Sequence, residues 1–593
     1  MSAVQRASSA TLGVVVFGLL VVATVGAFFV TQRLKRATPI VRKVDLPRYI
    51  SPNGDGRLDR VRISFFLPKR DHVTVVMVNA GGDEVIRLAD DRLMRRGFHS
   101  FVWRGRDTAG AVPPDGTYYL RVILRGQGRA TTVPRGIQLV TTPPRPRLLS
   151  VKPGRLRPGG AGPVTITYAG PTRPPAQFSV YRTGAPGPPR LVARFTGRAG
   201  SRAGTWDGTG GDGRPLPAGT YAFAVTVRNA ALVAGSAPAR LPPTAASAPP
   251  HTGVTIAGLA AALPLRAARA GRVARIEVEG ARGSLRWSLA RLDGRVVSRG
   301  RASGPIVRLR VPRRARTALY VVRLRGGGSS AAVPLAVRGP GRGRVLVVLP
   351  AISWQGLNPV DDDGNGFPDT LPVSPSVGLA RPLAFGRLPA PLLRETAPLL
   401  RYLDGQRLRY DLTTDLALAR GAGPPLAGHR GVLFAGSELW LTEALDSELR
   451  GYVDRGGRVA SFGADAFRRT VRLTASTLSD PSARQETNVF AEATRRARSE
   501  AAPLVVHADK LGLFAASDGF VGLFTRFEQQ QSIVSGARTL AAAGRDPRHP
   551  AFVAYRLGKG VVVRAGAPGW ARAIRGEPEV AAATRATWAL LSR

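Results

Sequence analysis

Three hydrophobic patterns follow one another along the chain. Residues 12–30 form a largely apolar run of 19 residues without a charge, close to the length that crosses a bilayer core at about 1.5 Å per residue. Residues 61–65, 73–78, 119–123 and 223–227 are short runs, mostly alternating and bounded by Gly, Asp and Pro; a period of two marks antiparallel strands with one wet face. From residue 344 the alternation stops. Residues 345–349, 431–435 and 458–462 are continuous apolar runs, as in strands buried on both faces. Between the last two, Thr442 is placed to cap a helix. Leu445, Leu449, Tyr452 and Val453 share one face, and Gly456 with Gly457 ends it. Strand, helix and strand within about 30 residues predict a βαβ unit. The runs on either side of Gly558 and Gly560 predict a closing hairpin.

A repeat lies inside the alternating region. Trp103, Gly105, Gly110, Pro114, Gly116, Thr117 and Tyr118 recur as Trp206, Gly208, Gly213, Pro217, Gly219, Thr220 and Tyr221. The offset is constant without a gap, so two copies of one domain are expected. The Trp reads as core, and Pro-x-Gly-Thr-Tyr as a turn into a strand. This signature resembles the Ig-like repeat of FlgD-type hook-assembly proteins and other bacterial surface proteins. The first copy also has the opening Ser51 to Asp59; the second, at Val151, lacks its acids. The resemblance implies a fold and no chemistry.

The organisation expected is a tail (1–11), a transmembrane anchor (12–31), two Ig-like β-sandwiches (45–142 and 146–235), a Pro-rich linker (236–250), a further β-domain (251–338) and an α/β domain (344–593). The run at 12–30 exceeds a signal-peptide core and ends in Phe28, Phe29 and Val30, which favours an uncleaved anchor. Arg6 precedes it, while Arg33, Lys35, Arg36, Arg42 and Lys43 follow. That distribution alone would keep the body inside. The surface-type repeats argue the reverse, so the expectation is a single-pass cell-membrane protein with its body outside.

Composition narrows the chemistry. Cysteine is absent, which excludes a thiol nucleophile, a thiolate zinc site and disulfides. The formal charge is +47, and of 86 basic residues only six are Lys. The Arg residues are dispersed, as a GC-rich genome would leave them, and no nucleic-acid-binding motif accompanies them. Specific nucleic-acid binding is therefore not expected; adhesion to an anionic cell-wall polymer or lipid is. The six His show no metal-ligand spacing.

Residues 347–355, 433–440, 452–458 and 557–570 resemble the C-terminal domain of the N,N-dimethylformamidase large-subunit family. That resemblance implies an α/β flavodoxin-like domain similar to class I glutamine amidotransferases. The nucleophile elbow would fall on Gly463 or Ala464, which cannot attack a carbonyl. Where related subunits have His before the acid, this chain has Ser437 ahead of Glu438. Glu438, Trp440 and Asp465 follow predicted strands, where open α/β sheets bind ligands, and are the ligand-cleft candidates.

Two acidic loops offer cation chemistry. Asp361, Asp363, Asn365, Phe367 (through its carbonyl) and Asp369 match positions one, three, five, seven and nine of an EF-hand-type loop, and Gly366 supplies the sharp turn. Position twelve is Pro372, so the bidentate acid is missing. Structural Ca2+ and a plain Asx-turn loop both fit. Asn53, Asp55 and Asp59 form a shorter version, with Arg57 among them; there a side-chain-held turn is favoured. The function expected is a membrane-anchored binding or scaffolding protein with a degenerate amidotransferase-like domain. The alternative is a membrane-anchored C–N bond hydrolase of the dimethylformamidase type.

Overall fold

The computed structural model describes residues 7–35, 40–159 and 162–593, with the side chains of 7–13, 29–35 and 499 left aside. Strands hold 42% of the chain and helices 14%, so the molecule is predominantly β. Helix α1 (Ala7–Lys35) precedes the sandwiches. Among the described residues, no helix is long and apolar enough to cross a membrane. The transmembrane anchor at 12–31 and the single-pass location expected from it are corrected accordingly. Most of the tail 1–11, with Arg6 and Arg36, lies outside the described residues.

Two sheets face each other in each repeat. In the first, strands Val61–Leu67 and Gly97–Trp103 pair on one side, and Asp71–Val78 and Gly116–Leu124 on the other. Trp103 is fully buried, and its Nε1–H donates to the Arg106 carbonyl at 3.0 Å. The Tyr118 hydroxyl donates four residues back to the Pro114 carbonyl at 2.7 Å. The second repeat has the same geometry, Trp206 to Thr209 at 2.8 Å and Tyr221 to Pro217 at 2.6 Å. Tyr-OH bonds of this kind pin the strand entry at a sandwich corner. The second sandwich ends with Gly253–Ile256, which pairs with Gly219–Arg228. The Pro-rich stretch 236–250 therefore connects strands of one sandwich.

Residues 260–338 form a third two-sheet unit. Tyr320 donates to the Arg316 carbonyl at 3.3 Å, again four residues back. The corner survives although the Trp-Gly signature does not. The core of this unit is continuous with that of the C-terminal region, while the first two sandwiches have cores of their own.

The C-terminal region is built on one nine-stranded sheet. Its strands are β1 (Val345–Leu349), β2 (Tyr410–Thr414), β3 (Gly431–Phe434), β4 (Arg458–Ser461), β5 (Ala493–Asp509), β6 (Phe520–Ser532), β7 (Arg538–Gly544), β8 (Phe552–Leu557) and β9 (Gly560–Ala565), in the order β2-β1-β3-β4-β9-β8-β7-β5-β6. Pairing is parallel from β2 to β9 and antiparallel from β9 to β6. The expected α/β flavodoxin-like, amidotransferase-like domain is corrected on this ground. A flavodoxin-like sheet is parallel and helix-covered; here four antiparallel strands extend it, and the long β5–β6 ribbon, rich in Arg and Gln, forms the far edge. After the helices α2 (Ala351–Gly356), α3 (Ala397–Gly405) and α4 (Asp415–Ala419), helix α5 (Glu443–Asp454) joins β3 to β4, with the Thr442 side chain accepting the Leu445 N–H at 3.3 Å. Leu445, Leu449, Tyr452 and Val453 are its buried face.

Candidate functional site

The parallel strands deliver their carboxyl ends to one edge. β1 runs through Pro350 into α2 (Ala351–Gly356), and β2 runs into α4 (Asp415–Ala419). The Ile352 N–H donates to both Asp415 carboxyl oxygens, at 3.1 and 3.0 Å. Beyond β3, Glu438 is fully buried, and neither of its oxygens accepts a hydrogen bond. Burial pushes its acid well above the ordinary range, and the Asp415 charge adds to this. Burial also pushes Asp415 up to about 7, against the hydrogen bonds that favour its charged form. Burial and the neighbouring Asp415 charge thus both favour the protonated form of Glu438.

In front of this sealed pair lies a cavity of about 290 Å³. Glu395, Ser437, Glu528 and Arg496 supply polar groups to its wall, and Trp354 and Phe527 supply apolar surface. The Ser437 N–H donates to Glu395 Oε2 at 2.9 Å, and its hydroxyl also bonds that carboxyl. The Ala464 N–H donates to Ser437 Oγ at 3.1 Å. Burial raises the Glu395 and Glu528 acids. Glu528 Oε1 accepts the Asp465 N–H at 2.7 Å.

At Gly463 the elbow after β4 has no room for a nucleophile. A Cβ at Gly463 would stand 2.3 Å from the Gly436 carbonyl oxygen, closer than any side chain tolerates. The β3 and β4 ends touch backbone to backbone, and only glycine fits.

The sequence candidates separate. Glu438 sits beneath the cavity, paired with Asp415. Trp440 is buried with its Nε1–H unpartnered, and the Arg469 guanidinium lies 5.8 Å from its ring centre. Asp465 is a buried ionic hub, bonded to Arg469, Arg484 and Arg496 at 2.8, 2.6 and 2.6 Å. Burial would raise its acid, but these arginines outweigh burial and hold it below the usual range. Arg496, held in this way, lines the cavity wall. Asp415, Glu395 and Glu528 were not among the candidates. Asp415 follows a strand, Tyr410–Thr414, with too few apolar residues to be read as one; the other two reach the site only by tertiary folding.

In the loop at 361–369, ligand oxygens of Asp361, Asp363 and Asp369 lie within 4.8 Å of one another. Asn365 Oδ1 accepts the Phe367 N–H at 2.7 Å and its Nδ2 donates to Asp363 at 3.2 Å. These three carboxylates could hold a cation. At 53–59, Asp59 accepts the Gly54 and Gly56 N–H groups at 2.8 and 2.7 Å, and Asn53 accepts that of Asp55 at 3.1 Å, the geometry of a side-chain-held turn.

Residues 305–570 match the family model described as N,N-dimethylformamidase beta subunit-like, C-terminal. No curated protein sequence matches the chain. Among solved structures, the four N-terminal Ig domains of Dscam1 isoform 6.9 are similar at 15% identity, covering 51% of this chain and 74% of that one, with a TM-score of 0.13. FlgD from P. aeruginosa is similar at 18% identity, covering 22% and 89%, with a TM-score of 0.13. A marsupial T cell receptor is similar at 11% identity, covering 49% and 98%, with a TM-score of 0.17. The C-terminal region of this chain is thus similar to the C-terminal part of N,N-dimethylformamidase β subunits, behind Ig-like β-domains.

Proposed function

We propose that the chain is a binding and scaffolding protein, in which Ig-like sandwiches carry a dimethylformamidase-like C-terminal region without hydrolytic chemistry. The observation that carries this reading is the pairing of Glu438 with Asp415 beneath the cavity floor. The acid that follows β3 does not line the cavity, and a side chain at Gly463 has no room. The formal charge of +47 supports adhesion to an anionic polymer or lipid.

One observation favours the rival, a C–N bond hydrolase. The Ser437 hydroxyl bonds Glu395 at the wall of a cavity large enough for a small amide, and a hydroxyl beside a carboxyl of raised pKa is a nucleophile–base arrangement. The purified chain should be incubated with N,N-dimethylformamide and with formamide, and amine or ammonia release followed. The expected result is no release above a heat-denatured control. Turnover abolished by both Ser437→Ala and Glu395→Gln would replace the scaffold reading with the hydrolase.

A further inference from the structure

A second cavity, of about 520 Å³, lies at the opposite edge of the C-terminal sheet. It is bounded by the loop before Ala318–Gly326 of the third sandwich, by 340–343 leading into β1, and by 404–410 leading into β2. Six of its fifteen lining residues are Arg: 291, 314, 316, 342, 407 and 409. Lys and Arg together are 86 of 593 in the whole chain, so background composition does not account for this density. The one acid in the lining is Asp404. It accepts the Tyr410 hydroxyl at 2.7 Å, and burial raises its pKa, which weakens it as a counter-charge.

Arg291 lies 3.4 Å from Asp293. Among the described residues, none of the other five guanidiniums forms an ion pair with a carboxylate, although Arg316 lies within electrostatic reach of Asp404. These cations around one concavity repel one another, and an anion seated among them would relieve that repulsion. Guanidinium is the group that grips phosphate with two parallel N–H donors. The walls are preorganised, because the third sandwich and the C-terminal sheet share one core and the Arg401 Nε–H donates to the Leu292 carbonyl across the seam at 2.9 Å.

We propose that this cavity binds a chain of two or more linked phosphates. A single monoanion would satisfy too few of the six arginines. Both inorganic polyphosphate and the triphosphate of a nucleotide carry this chemistry.

The test is calorimetric titration of the full chain at fixed ionic strength with tripolyphosphate, ATP and sulfate. Saturable binding of tripolyphosphate, with sulfate much weaker, is expected. Equal affinity for ATP assigns recognition to the phosphate chain alone, and tighter ATP binding assigns the source to a nucleotide. The exposed triple variant Arg314→Gln, Arg342→Gln, Arg409→Gln should weaken binding by more than about tenfold. A control of equal charge change outside the cavity, Arg282→Gln, Arg299→Gln, Arg308→Gln, should change it less than about threefold. Absence of saturable binding, or equal loss in the two triple variants, overturns the site and shows only diffuse attraction to a basic protein.

Discussion

At the scale of single residues, the protein's least ordinary feature is two carboxyl groups sharing one buried place. The folded-state values of Asp415 and Glu438 both lie above the ordinary ones of roughly 4. Their contribution to stability is therefore fully present below about pH 4, where folded and unfolded chains are both protonated. Between about pH 4 and 7 the unfolded chain releases protons that the folded pair keeps. Each such proton costs about 1.4 kcal/mol of stability per pH unit, so stability falls as pH rises through this window. Glu438→Gln keeps the shape and gives Asp415 a permanent N–H donor. Urea unfolding between pH 5 and 8 should show a shallower decline in this variant than in the parent chain; parallel declines would mean that the pair is not the source. Glu438 was legible in the sequence because an acid directly after an apolar run is visible. Its partner was not, since Asp415 follows the polar strand Tyr410–Thr414, buried by its neighbours rather than by its own composition. The sealed Gly463 elbow was half legible: the residue excluded a nucleophile, but only the backbone contact with Gly436 shows why no substitution could restore one.

At the scale of elements, spacing served where the chain itself repeats or caps. The Trp and Tyr positions of two sandwiches, the Thr442-capped α5 and the β8–β9 hairpin all rest on local chemistry, and all three are present. The third sandwich was read only as a β-domain because its Trp signature is gone, yet Tyr320 keeps the corner bond that Tyr118 and Tyr221 make. The antiparallel half of the C-terminal sheet was missed for a different reason: in β5 and β6 the core residues Leu504, Val521, Phe524 and Phe527 are interrupted by Arg495, Arg496, Gln529 and Gln530, which hides the apolar period. The acidic loop is the element whose chemistry is most exposed to test. Asp361, Asp363 and Asp369 crowd three carboxylates within 4.8 Å, and a divalent cation would relieve their repulsion. Calcium at a hundred times its dissociation constant would stabilise the chain by about 2.7 kcal/mol. Thermal unfolding of the full chain should shift upward with calcium and fall back with chelator, and Asp363→Ala should abolish the shift. No shift in the parent chain, with no heat of binding at millimolar calcium, leaves the loop as a turn only.

At the scale of the whole molecule, the same loop is a joint. The His251 and Gly253 N–H groups of the second sandwich donate to the Asp363 and Gly364 carbonyls at 3.0 and 2.8 Å. The Thr183 hydroxyl bonds the Gly366 carbonyl. Gly366 has φ +87, and a Cβ there would stand 2.4 Å from the Tyr221 carbonyl oxygen, on the strand that begins at the tyrosine corner. Among the described residues, the first sandwich shows no such clasp with the C-terminal region, and its core stands apart; the second is fixed to that region by backbone contact too close for any side chain. Gly366→Ala should therefore do two separable things. A non-glycine residue at this φ costs roughly 1–2 kcal/mol by itself. The clash must in addition push the sandwich off the loop. Gly54→Ala isolates the first effect, because Gly54 has φ +80 and nothing within 4 Å of its would-be Cβ. Small-angle scattering should show a larger radius of gyration for the Gly366 variant and none for the Gly54 variant, with proteolysis of the 236–250 stretch accelerated only in the former. If both variants keep the parent dimensions and cleavage rate, the contact at Gly366 does not hold the two parts together, and the loop's cation chemistry would have no means of setting their relative position.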